Sequence, residues 1–229
     1  MIDKHKEAVY TEENERQATM IRIALTGPSG AGKGYVADLL EKRGIAVLDT
    51  DSVVHNLYAE GELPIRISHM FGQEVLLPDG SVNRKALGII VFQDKEALLA
   101  LNRVVHEEVR KETEIWLSKR KLSGADMAVV DAPQLFEANM QGDFDFVVSV
   151  IADDDVRLCR ICQRDGISGE QALLRMKNQM SADRYSRQSH VTIVNNGTED
   201  LEPQIDKLIN YIKIQYKEDF KNGRKRSEE

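Results

Sequence analysis

No apolar run in the 229-residue sequence approaches the ~20 residues needed to cross a bilayer, so no membrane-spanning helix and no membrane partner are expected. Residues 1–20 are too polar for a secretory signal, and a cytoplasmic location is expected. An excess of positive charge is missing as well: 31 basic against 38 acidic side chains leave a net charge of −7. No global field favours nucleic acid, none is expected as a partner, and an anionic ligand has to be held by local positive groups. Cysteine is scarce. Cys159 and Cys162 stand as Cys-x-x-Cys, but no second cysteine pair and no histidine pair at ligand spacing completes a zinc site. Val156, Leu158 and Ile161 surround them at helical spacing, so packing is expected ahead of redox chemistry. His106-Glu107-Glu108 begins like a zinc-protease helix, yet the position due for the second histidine is Arg110. Internal repeats and low-complexity segments are absent too. With 41% hydrophobic and 30% charged residues, the chain suits one substantial core.

What the sequence does have is a strand, a glycine-rich turn and a helix in immediate succession. Ile21 to Thr26 reads as a buried strand, Gly27 to Gly32 as the turn, and Lys33 onward as a helix with Tyr35, Val36, Leu39 and Leu40 at apolar spacing. Glycines at 27, 30 and 32 let the backbone curl until several N–H groups face one anion; the helix N-terminus and Lys33 add positive charge. The pattern Gly-x-x-x-x-Gly-Lys is complete. The next residue, Ser or Thr where a hydroxyl reaches magnesium, is Gly34.

The rest alternates strands with helices, the signature of an α/β sheet with crossover connections. Residues 1–19 are charged without an apolar stripe, and a flexible extension is expected there. Ile45 to Leu48 is a second strand that delivers Asp49 and Asp51 at its carboxyl end, where ligands of such sheets gather; at least one of the two caps the helix that follows. About residues 60–121 no strand signal interrupts the helical pattern, which implies a helical insertion beside the sheet. Lys119 to Lys121 close its longest helix. Asp126 to Asp131 is a third strand; an apolar strand ending in aspartate suits a phosphate cradle, because Asp131 can hold a magnesium-bound water. Phe144 to Ile151 is the fourth. It leads into a helix carrying Arg157, Arg160 and Arg164, which share one face and form either a phosphate-reaching row or a solvated stripe. Asp165 to Ser168 breaks that helix, and a new one through Leu173, Leu174, Met176 and Met180 reads as a hinged lid over about 164–188. Val191 to Val194 is the fifth strand, Asn195 to Thr198 a turn, and a last helix precedes a charged tail over 217–229.

The order of these parts resembles the dephospho-coenzyme A kinase family over about residues 20–215. The matching pieces are Ala24 to Gly27 with Gly30-x-Gly32-Lys33; Asp49-Thr50-Asp51; His106 with Arg110; Asp131-Ala132-Pro133 through Phe136-Glu137; Arg160 with Gln163-Arg164-Asp165; Arg175 with Gln179; and Ile193 to Gly197. The resemblance implies a three-layer P-loop kinase fold with a five-stranded parallel sheet, a helical substrate-binding insertion and a helical lid. It implies ATP and Mg2+ as cofactors, with Gly27, Gly30, Ala31, Gly32, Lys33, Gly34 and Tyr35 around the phosphates and Asn195, Asn196 and Gly197 by adenine. Asp51 becomes the base for a ribose 3′-hydroxyl and needs no raised pKa. Lys33, Arg164 and Arg160 neutralise the transferred phosphoryl, and Asp131 meets magnesium through water. His106, Arg110, Pro133 and Glu137 would hold the acceptor, dephospho-coenzyme A, in a monomer or weak homo-oligomer. Gly34, Tyr35, Glu107, Gln134 and His190 depart from the family pattern. Two further readings stay open: a relative that binds nucleotide without turnover, and a kinase for another small-molecule acceptor.

Overall fold

The computed structural model of the protein describes residues 20–221; the extension expected over 1–19 and the end of the tail, 222–229, lie outside the described residues. Five strands, β1 (Ile21–Thr26), β2 (Ala46–Asp49), β3 (Met127–Asp131), β4 (Phe146–Ile151) and β5 (Val191–Val194), form one sheet in the order β2-β3-β1-β4-β5. Every pairing is parallel. The apolar runs of β1, β3 and β4 follow from this, since a strand covered on both faces has no solvent side for polar residues. β3 begins one residue and β4 two residues later than expected, at Met127 and Phe146. Phe144 still reaches the core from the loop before β4, where it is 1% exposed.

Helices cover both faces, which makes the fold a three-layer α/β arrangement. On one side α1 (Lys33–Glu41) and α9 (Glu202–Lys221) bring Val36, Leu39, Ile205 and Ile212 against Ile23, Leu25, Val129 and Val148. On the other, Leu117 of α5 (Lys95–Leu122) joins Leu135 and Phe144 over Ala24, Val130 and Val147. The period-2 alternation of β1 assigns Ile23 and Leu25 to the first face and Ala24 to the second. Helix α9 continues through Lys221, so the first residues of the expected tail are helical.

Between β2 and β3 the chain forms α2 (Thr50–Ala59), α3 (Glu62–Phe71), α4 (Arg84–Val91) and the first half of α5. These enclose a separate apolar cluster that includes Leu63, Ile67, Leu87, Leu101 and Val105. Asp94 caps α5 by accepting from the amides of Glu96 and Ala97. The 28 residues of α5 span about 42 Å, enough for one helix to serve both this cluster and the sheet.

After β4 come α6 (Asp154–Asp165), α7 (Gly169–Lys177) and α8 (Ala182–Gln188). Gly166, at φ 64°, ends α6, and Ser168 with Gln171 forms the capping box expected at the start of α7. The single helix expected through Met180 is two. Ser181 accepts from the amide of Arg184 and starts α8, so Met180 lies in a linker. The cysteines do not pack as expected: the buried side of α6 carries Arg157 and Ile161, which leaves Cys159 exposed and Cys162 partly so.

Candidate active site

The parallel register sets the site. Asp49 at the end of β2 pairs with Asp131 at the end of β3, and Leu25, one residue before the end of β1, pairs with Asp131 as well, so three chain ends arrive level beside the glycine turn. Gly27 and Gly32 are glycine by necessity. A Cβ on Gly27 would stand 2.1 Å from the Val150 carbonyl oxygen, and one on Gly32 2.2 Å from Asn195 Nδ2, both at positive φ.

A cleft of about 1110 Å³ opens over this turn. Lys33, Asp51 and Arg164 line it together with Gly27, Gly30 and Gly32. His106, Arg110, Pro133 and Glu137 line it as well. On α5 the contributing residues Leu99, Asn102, Arg103, His106, Glu107 and Arg110 are related by steps of three and four, one stripe of one helix face. Arg103 has no hydrogen bond or ion pair among the described residues, and it stands free toward the cleft. His106 Nε2 lies 3.3 Å from Gln134 Oε1, while Arg110 donates to the Asn139 carbonyl and pairs with Asp143.

The carboxylates divide their labour. Asp49 accepts from the amide of Asp51 at 2.9 Å and from the Ser52 hydroxyl at 2.6 Å, so it is the helix cap, and Asp51 is left to face the cleft. Burial raises the Asp51 pKa, Asp49's charge adds to this, and Lys33 opposes it. The role of base does not require this, but burial holds Asp51 above its ordinary value. Asp131 is pushed up to about 6 by burial, with Lys33 pulling down and Asp49 and Asp51 pushing up. Asp165 is held at about 2 by the hydrogen bonds from Arg164, against burial, and by those from Arg175.

The helix after β4 is neither a phosphate row nor a solvated stripe. Arg157, 3% exposed, donates from Nε to the Ser29 carbonyl and pairs with Asp154 at 2.8 Å. Arg160 donates to the carbonyls of Gly30, Ala31 and Asn195. Both brace the glycine turn from behind, and only Arg164, whose Nη2 lies 3.3 Å from Ser29 Oγ, reaches the cleft. Asn195 belongs to the same brace, donating to the Ala31 carbonyl at 3.0 Å. Asn196 ties its loop to Asp153, and Gly197 lies against Arg160. Gly34 and Tyr35 sit in the first turn of α1, Ala31 is fully buried, and Tyr35 is half-exposed.

With this geometry in place, the comparisons with known proteins are direct. The family model described as dephospho-CoA kinase matches residues 21–200. The chain belongs to the dephospho-CoA kinase family. A dephospho-CoA kinase of Geobacter sulfurreducens is 36% identical over 188 residues, 81% of this chain and 95% of that protein. One of Corynebacterium glutamicum is 33% identical over 192 residues, covering 83% and 96%. A crystal structure from Thermus thermophilus superposes with a TM-score of 0.72 at 31% identity, covering 86% of this chain and 97% of that one.

Placed in the dephospho-CoA kinase frame, Asp131 offers a buried Oδ1 with no hydrogen-bond partner in the structure, next to the cradle's open end. Among the described residues no three His, Cys, Asp or Glu side chains cluster as a metal cage. The single unpartnered Asp131 oxygen suits magnesium, which keeps several waters and leans on one or two carboxylates and on substrate phosphates. Sequence reasoning missed Arg103 and Tyr185 in the cleft. The Tyr185 phenol is pushed up to about 12 by burial and by Glu137, with Arg157 opposing, so it remains protonated, its ring 5.8 Å from Phe136. Arg103 was within reach of the sequence, one helical turn before His106; Tyr185 was not, because its burial depends on α8 packing against β4.

Proposed function

We propose that the protein transfers the γ-phosphoryl group of ATP to the ribose 3′-hydroxyl of dephospho-coenzyme A, giving coenzyme A and ADP, in the cytoplasm. The observation that carries this reading is that Lys33, Asp51 and Arg164 line one cleft together with His106 and Arg110. All of these groups come from one chain, so a monomer suffices.

Asp51 accepts the hydrogen bond of the 3′-hydroxyl and takes its proton as the oxygen attacks the γ-phosphorus. The new O–P bond forms in line with the breaking bond to the β-phosphate oxygen, and ADP leaves. Its raised pKa makes Asp51 a better proton acceptor than a solvated aspartate. Lys33 sits where charge builds on the equatorial oxygens, and Arg164 moves from Asp165 toward the same charge while excluding water. Asp131 would hold magnesium through water, and the ion would supply positive charge to the transferred phosphoryl group, while the cradle's amides face its oxygens. Arg110, Arg103 and His106 bind the acceptor's diphosphate.

Purified protein with ATP, magnesium and dephospho-coenzyme A, followed by coupled ADP release, tests this reading. Turnover should drop about 100- to 10,000-fold in Asp51→Asn, the range for loss of a positioned general base. Equal rates in the two proteins would refute it.

A further inference from the structure

A second groove, of about 680 Å³, opens beside the cleft and is joined to it through Glu137, Asn139, Asn178 and Gln179, which line both. It lies between the loop that follows β3 and the segment linking α7 to α8. Its chemistry differs from that of the cleft. The cleft gathers Lys33, Arg103, His106, Arg110 and Arg164, a set made for phosphates, whereas the groove contributes one cation of its own, Arg184. Carboxamides dominate instead: Asn139, Gln141, Asn178, Gln179 and Gln188. Those of Gln141, Asn178 and Gln188 have no hydrogen-bond partner among the described residues. Phe136 and Met180 supply the apolar part of the wall.

Each carboxamide offers two donors and an acceptor, the complement of a secondary amide that presents one N–H and one C=O. A thioether and an aromatic ring suit a branched alkyl group or a thiol end. The acceptor proposed above has two chemically distinct parts: an anionic adenosine diphosphate, and a neutral arm of secondary amides, a hydroxyl, a gem-dimethyl group and a terminal thiol. We propose that the carboxamide-lined groove binds this neutral amide arm while the cationic cleft holds the diphosphate, an assignment that rests on dephospho-coenzyme A being the acceptor. The shared residues mark where the arm leaves the diphosphate. The groove then separates dephospho-coenzyme A from every nucleotide that carries the same adenosine diphosphate, and contacts remote from the reacting hydroxyl position it for transfer.

The test compares dephospho-coenzyme A with the methyl ester of ADP, which keeps the adenosine and diphosphate and replaces the arm by a methyl group. Gln141→Ala and Gln188→Ala alter exposed residues that line only the groove, so the fold and the cleft are left intact. Each should lower kcat/KM and affinity for dephospho-coenzyme A about three- to tenfold, the worth of one or two hydrogen bonds, and leave both values for the methyl ester unchanged. Equal losses for the two compounds, or no loss for either, overturn the proposal. Binding measured by calorimetry separates this from the kinase reading: a loss of affinity confined to dephospho-coenzyme A, without turnover of either compound, upholds the groove and refutes the kinase. Failure of wild-type protein to bind dephospho-coenzyme A refutes both.

Discussion

Oε1 of Gln179 accepts a hydrogen bond from the amide of Ser29 at 3.0 Å, across 150 residues of sequence. The segment after α7 therefore rests on the glycine turn, with a neutral carbonyl oxygen on an amide that the proposed function offers to a phosphate oxygen. Arg164 touches the same serine through its hydroxyl.

An anion entering at this amide displaces the glutamine, so part of its binding energy is spent on breaking that contact. Gln179→Ala removes the competitor. A net hydrogen bond is worth about 0.5–1.5 kcal/mol, so ATP should bind this variant about two- to tenfold more tightly by calorimetry. An unchanged or weaker affinity would show that Gln179 stays on the turn when nucleotide binds.

Gly34 is the second lever. A Cβ there meets nothing within 4 Å, and its backbone is not in the left-handed region, so serine fits without strain. In the first turns of α1 the replacement gains about 0.5 kcal/mol of helix propensity. Under the proposed function its hydroxyl would also offer magnesium a ligand. Gly34→Ser should melt slightly higher without ligand and reach half-maximal rate at a several-fold lower magnesium concentration. An unchanged magnesium requirement would mean that water already fills that position as well as a hydroxyl does.

Legibility in the sequence followed the range of the interaction. The glycine turn, Lys33, the five strands and the helical stretch after Glu60 depend on neighbours a few residues away, and local pattern exposes them. So does the His106–Arg110 spacing, which projects both onto one face of α5. Which of Asp49 and Asp51 caps α2 was left open, because the choice rests on a 2.9 Å hydrogen bond that either spacing allows. The roles of Arg157, Arg160 and Asn195 were misread for a different reason. All three lie near the glycine turn, but sequence does not say on which side of it, and the packing of α6 and β5 puts them behind. Tyr185 was invisible, being buried only once α8 closes on the sheet.

The Asp49–Asp51 division carries a pH signature. Burial first and Asp49's charge second raise Asp51, so its ionised, proton-accepting form is lost as pH falls through a value above the ordinary 3.8. The acid limb of kcat/KM for the acceptor should stand at that raised value. Asp49→Asn keeps the cap, since asparagine serves there as well as aspartate, but removes the neighbouring negative charge. The limb should then move to lower pH with the maximal rate retained. A limb that stays in place would assign it to another group.

Asn195 decides between a nucleobase contact and a brace. Its Nδ2 holds the Ala31 carbonyl at 3.0 Å, and its own carbonyl and Oδ1 receive Arg160 at 2.9 and 3.3 Å. Asn195→Ala leaves the Ala31 oxygen with only the long 3.4 Å hydrogen bond from Arg160 and takes the acceptor from Arg160 Nη2, at a cost of about 1–3 kcal/mol. The glycine turn loosens where it must be rigid, so inorganic triphosphate and ATP should both lose affinity, and by the same factor. A residue reading adenine would behave otherwise: affinity for ATP would fall, affinity for triphosphate would hold, and the preference for ATP over GTP would narrow. Equal losses, with the ATP-to-GTP ratio unchanged and a lower melting temperature, are the expected result, because every polar atom of the Asn195 side chain is already engaged behind the phosphate cradle.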